Sequence, residues 1–77
     1  MSIVFSDHAL RQIKIRRVGG SQVIETITNY DEILPSFKNR KLRRKAFEST
    51  ILEVVTITEG SKIIVVTAYF ELENYEN

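Results

Sequence analysis

The chain reads as an α+β domain, with two helices packed on one face of a three- to four-stranded antiparallel sheet in the order β-α-α-β-β-β. Three observations predict it. Apolar residues recur at helical spacing as far as Tyr30, and beyond Pro35 the pattern turns to Val-, Ile- and Thr-rich alternation. The two strongest alternating runs are separated only by Glu59-Gly60-Ser61, a turn of hairpin type. At 77 residues, positions 1–77 form a single domain, since a second one does not fit.

Each element follows from local chemistry. Ile3-Val4-Phe5 is a short apolar strand. Ser6 is then suited to N-cap a helix over His8 to Arg17, with Asp7 favourably placed against the helix dipole. Ala9, Leu10 and Ile13 share one face of that helix, and Gly19-Gly20 ends it. Ser21 is the expected cap of a second helix, whose stripe is Val23, Ile24 and Ile27 and whose exit is Asn29-Tyr30-Asp31. Ile33-Leu34-Pro35 reads as a connection, because the residue before proline avoids helical geometry. Strands follow at Lys41 to Phe47, Ile51 to Thr58 and Lys62 to Phe70. The last is apolar on both faces and therefore expected to be central. The acidic tail from Glu71 to Asn77 reads as a fraying end.

Composition narrows the chemistry. There is no cysteine and one histidine, His8, so thiolate, iron–sulfur and multi-histidine metal centres are excluded. No metal and no cofactor are expected. No apolar run approaches a membrane span, and Met1-Ser2-Ile3-Val4-Phe5 lacks the basic and apolar regions of a signal peptide. A cytoplasmic protein, in a reducing compartment and without membrane partners, is the expectation.

The formal net charge of +1 hides a separation. From His8 to Lys45 ten basic residues stand against three acidic ones, while from Ala46 onward Lys62 faces six glutamates. Six of the eight residues from Lys38 to Lys45 are basic, the usual electrostatic footprint for phosphate. Arg40, Lys41, Arg43 and Lys45, with Arg11 on the first helix, are the candidate RNA-binding residues. On a strand Arg43 and Lys45 point one way and Arg44 the other, so they do not all serve one site. The same composition also suits an edge strand protected against aggregation.

His8, Arg16, Arg44 and Tyr69 are the candidate catalytic residues. A helix N-terminus disfavours a charged imidazole, which suits His8 as a general base, although a surface or capping histidine has the same signature. Arg16 lies two turns along the same helix, roughly 12 Å away, and its alternative is an arginine packed at the core edge. Arginine forks stabilise phosphate charge through paired hydrogen bonds, which is the role of Arg44. Tyr69, placed on one strand face with Thr67, Ile63 and Val65, is a donor for a leaving oxygen or an interior ring. Tyr30 and Tyr75 are residues able to stack on bases. Gly19-Gly20 lacks the following Lys-Ser/Thr of a phosphate loop, and no nucleophile elbow exists.

Phe5-Ser6-Asp7-His8-Ala9-Leu10, with Arg16 eight residues beyond His8, resembles the opening of a widespread prokaryotic domain-of-unknown-function family of small proteins. That family has a His-Ala opening followed by an Arg-Gly-Ile-Ser turn. The resemblance continues through Asn29-Tyr30-Asp31-Glu32-Ile33 and closes at Lys62-Ile63-Ile64-Val65-Val66-Thr67-Ala68-Tyr69. It departs at Arg17, where the family turn has glycine, and at Gln12, where a basic residue is frequent. The family is similar to RelE-like and BrnT-like toxins of toxin–antitoxin pairs. The resemblance implies a RelE-like fold, RNA as substrate, a small antitoxin protein as partner, and cleavage without metal by attack of the RNA's own 2′-hydroxyl. Set beside it is a non-catalytic interaction module that binds a partner through the basic strand or a sheet edge.

Overall fold

A computed structural model describes residues 1–72. Its elements are strand β1 (Ser2–Phe5), helices α1 (Asp7–Ile15) and α2 (Gly20–Thr28), and strands β2 (Glu32–Pro35), β3 (Arg40–Phe47), β4 (Thr50–Glu59) and β5 (Lys62–Leu72). A single 3-10 turn at Phe37–Asn39 joins β2 to β3. The α+β class and the helix pair are as expected, but the sheet is not three- to four-stranded and antiparallel. It has five strands in the order β1-β5-β4-β3-β2, and β1 runs parallel to β5. Two causes account for the difference. Ile33-Leu34-Pro35 is a strand rather than a connection, because an edge strand tolerates a proline that donates nothing to its neighbour. The α1–α2 unit returns the chain across the sheet, so the first strand joins the last one in parallel.

The caps set where the helices begin and end. The Ser6 hydroxyl accepts from the Ala9 N–H at 3.0 Å, as its N-cap position predicts. At the far end α1 closes before the glycines. Val18 N–H reaches the Ile13 carbonyl at 2.8 Å and Arg17 N–H the Lys14 carbonyl at 3.2 Å. This is a Schellman closure, with buried Ile13 and Val18 as its apolar pair. Arg17 takes the left-handed position at φ 59°. Gly19, not Ser21, is the N-cap of α2, and its N–H donates to Gln22 Oε1 at 3.0 Å.

Ala9 and Ile13 of α1 and Val23 and Ile27 of α2 meet Leu52, Val54, Ile63, Val65 and Ala68 in the core. Fully burying a Val or Leu side chain contributes roughly 1.5–3 kcal/mol, so Val23, Leu52, Val54 and Val65 are its main supports. Leu10 and Ile24, expected in the apolar stripes, are instead 50% and 44% exposed. Thr26 takes the buried position in α2, with its hydroxyl satisfied by the Gln22 carbonyl at 2.8 Å.

One irregularity in the sheet governs everything that follows. Val55 pairs with Thr67 but Thr56 pairs with Val65, which leaves Val66 as an extra residue in β5. Such a bulge reverses which face the later side chains use. Ile63 and Val65 therefore face the helices, whereas Thr67 and Tyr69 face the opposite, uncovered side. The expectation that all four share one face fails because strict alternation holds only in an unbroken strand.

Candidate functional site

The uncovered face collects a set of polar groups at the end of β5. Its anchor is Glu53, the one charged residue between Ile51 and Thr58, 4% exposed and directly opposite both Arg44 on β3 and Tyr69 on β5. Arg44 Nε lies 2.9 Å from Glu53 Oε2, its Nη2 2.7 Å from Glu71 Oε1 and its Nη1 3.3 Å from Glu32 Oε1. One guanidinium fork thus ties together β2, β4 and β5. The three contacts exploit a geometry that lysine does not have.

Proton affinities within this set diverge. Burial pushes the Glu53 carboxyl above the ordinary glutamate value, and the neighbouring Glu71 adds to the effect. Glu71 is held below it, because Glu53 hydrogen-bonds to its carboxylate and Arg44 stands beside it. Of the two carboxyls, Glu53 thus holds a proton more readily than Glu71. Tyr69 is pushed up to about 12 by burial and by its hydrogen bond to Glu53, so its hydroxyl stays protonated. Neighbouring groups with proton affinities driven apart are the electrostatic condition for acid–base work.

Arg16, the C-cap of α1, enters this set from the side. Short β1 covers β5 only from Lys62 to Val65, so the β5 edge beyond it is open to a side chain. Arg16 Nη1 donates to the Ala68 carbonyl at 3.0 Å and to Thr67 Oγ1 at 3.2 Å. Its guanidinium carbon also stands 5.8 Å from the centre of the Tyr69 ring. Unlike Arg44, Arg16 has no carboxylate in ion-pair range among the described residues, and it is exposed.

Of the four candidate catalytic residues, Arg16 and Tyr69 are thus in contact, and Arg44 joins them through Glu53. His8 does not, lying exposed in the first turn of α1. The basic strand is divided. Arg40 and Arg44 fall on the uncovered face, while Lys41, Arg43 and Lys45 fall on the helix side. Lys45 Nζ is held by the Asn29 carbonyl at 3.0 Å and faces Asp31 Oδ1 at 3.7 Å, and Arg43 is buried. Lys41 and Arg11 are exposed. Tyr75 and residues 73–77 lie outside the described residues.

Glu53 and Glu71 were not among the expected groups. A sequence signal existed for Glu53, a lone carboxylate in a Val- and Ile-rich strand, since a charge at such a position needs a partner. Among the described residues no group of three His, Cys, Asp or Glu side chains is placed to hold a metal ion. No helix there is long and apolar enough to cross a membrane. In comparisons with known proteins no family model matches the chain, and no curated protein and no solved structure matches it significantly.

Proposed function

We propose that this protein is a metal-independent endoribonuclease of the RelE/BrnT-like toxin kind, acting in the cytoplasm and neutralised by a small partner protein. Its reacting groups are Arg16, Tyr69 and Glu71. The observation that carries the reading is the contact of an unpaired, exposed Arg16 with Tyr69, which stands directly opposite the buried Glu53 in the sheet. In transfer of an RNA phosphodiester, the 2′-hydroxyl attacks the adjacent phosphorus, the 5′-oxygen leaves, and a 2′,3′-cyclic phosphate remains. Glu71, ionised and partly exposed, accepts the 2′-hydroxyl proton. Arg16 stabilises the charge that builds on the non-bridging oxygens. Tyr69 donates its proton to the leaving oxygen and recovers one from solvent, as Glu71 releases the one it took. Arg44 and Glu53 are positioning residues that orient the other two acids.

The test is cleavage of a short RNA by the purified chain in excess chelator, followed by analysis of the new ends. Cleavage leaving cyclic phosphate, lowered about 100-fold or more in Arg16→Gln and in Tyr69→Phe, supports the reading. Folded wild-type protein that neither cleaves RNA nor arrests growth on expression overturns it. A second reading has its own support. From Val66 onward β5 has a strand neighbour only on its β4 side among the described residues, so a partner's strand can add there without any chemistry. Strand addition to a protein inactive on RNA, seen as slowed exchange of β5 amides, would favour that reading.

A further inference from the structure

The helix side of the sheet holds a second, separate feature at Arg43, whose neighbours are not those of Arg16 and Tyr69. The residue is 9% exposed. Its Nη1 donates to Thr56 Oγ1, and its guanidinium carbon lies 5.7 Å from the centre of the Tyr30 ring. Its Nε is buried with no partner, and no carboxylate stands within ion-pair distance among the described residues. Arginine does not shed its proton to escape such a place. Burial lowers its proton affinity, which the Tyr30 hydroxyl offsets only in part. A neutral ring and one hydroxyl satisfy the direction of some of its N–H groups but supply no countercharge.

A cavity of about 270 Å³ opens beside this guanidinium, lined by Met1, Ile3, Ile27, Thr28, Ile63 and Arg43. Apart from Arg43, the Thr28 side chain and the α-amino group of Met1, that wall is apolar. The Thr28 hydroxyl already donates to the Ile24 carbonyl at 2.9 Å. The cavity thus offers the Arg43 guanidinium, with the Met1 α-amino group also among its lining residues, at a largely apolar wall, the pattern of a site for a small amphipathic anion. A cavity near 150 Å³ accepts benzene, so this one has room for roughly eight to ten heavy atoms. Phosphate is disfavoured, because it has no apolar portion to set against Ile3, Ile27 and Ile63.

We infer that this cavity binds a small aliphatic monocarboxylate, its carboxylate on the Arg43 fork and its chain against Ile3, Ile27 and Ile63. The site is independent of the proposed reaction, since none of its residues is among Arg16, Arg44, Glu53, Tyr69 and Glu71, and burial removes Arg43 from the expected RNA-binding residues.

Hexanoate, hexanamide and inorganic phosphate are the probes, titrated into the full chain labelled at isoleucine methyl groups and followed by NMR. The expected result is saturable movement of the Ile3, Ile27 and Ile63 signals with hexanoate. Affinity for the isosteric, uncharged hexanamide is expected to be weaker by about 10- to 100-fold, the loss typical of removing a charged hydrogen-bonding partner. Arg43→Met abolishes the hexanoate response. If that variant fails to fold, Ile3→Phe fills the cavity while retaining Arg43 and has the same effect. The comparison of hexanoate with hexanamide on the unaltered protein needs no variant at all. Absence of saturable shifts, equal affinity for hexanamide, or phosphate binding as tight as hexanoate would each overturn the assignment.

Discussion

At position 17 the backbone is left-handed, φ 59°, and the residue there is arginine. An L side chain in that region costs about 1 kcal/mol, which glycine avoids. The Arg17 N–H and the Val18 N–H both depend on this turn, so the conformation is imposed by the closure of α1 and not by residue preference. Arg17→Gly should therefore raise stability by about 0.5–1 kcal/mol, read as a higher urea midpoint with an unchanged slope. Tyr69 gives a prediction in pH. Its folded value near 12 exceeds the ordinary 10.0, so between them the folded chain keeps a proton that the unfolded chain has lost. Stability from this source is complete below pH 10 and declines as pH rises toward 12. In Tyr69→Phe that alkaline decline disappears, and the phenolate absorbance titration of the folded protein loses its component near 12. An unchanged titration would show that Tyr69 is not the group titrating near 12.

At the scale of elements, the start of α1 and the exit of α2 at Asn29 were legible, whereas the cap of α2 is Gly19 and not the expected Ser21. Ser6 lies before a helical run and caps it, because a hydroxyl at that position satisfies an N–H that no helix can satisfy internally. Ser6→Ala should destabilise the fold by about 1 kcal/mol, measured by thermal or urea unfolding. Gly60 was equally plain, and it takes φ 60° in the β4–β5 turn. What the chain concealed depends on partners. Pro35 argues against a strand until the strand is known to lie at the sheet's edge. The extra Val66 leaves no mark in a run that is apolar throughout. Its displacement of Thr67 and Tyr69 to the uncovered face is a result of pairing with β4. Three of the five residues of the candidate site were therefore nameable, namely Arg16, Arg44 and Tyr69. Glu53 and Glu71, which organise those three, acquire meaning only when β3, β4 and β5 lie side by side.

Over the whole molecule the layers are unequal. Strand β4 and, as far as Val65, β5 lie inside the sheet, and the two strands carry its most buried residues, whereas β1 and β2 are short edges. Hydrogen exchange should follow that order, with the slowest amides between Leu52 and Thr56 and between Ile63 and Val65, and the fastest strand amides in β1 and β2. Slower exchange in β2 than in β4 would contradict this hierarchy. The charge asymmetry also changes character at this scale. The basic and acidic stretches of the chain interleave in space, and Arg44 from one is paired with Glu53 and Glu71 of the other. The run from Lys38 to Lys45 does not form a single basic face, because a strand sends its side chains alternately to both sides.

The sequence by itself determined the α+β class, the capped first helix, the closing hairpin and the absence of any thiol chemistry. These rest on local preferences or on composition, which act on each residue without reference to distant ones. Tertiary structure alone decided the fifth strand, the parallel pairing of β1, the face on which Tyr69 stands and the fate of each basic residue. Register, burial and ion pairing are relations between segments far apart in the chain. Thus two neighbours of one type, Arg43 and Arg44, end in unlike places: one buried at an aliphatic cavity, the other held by three carboxylates on the uncovered sheet.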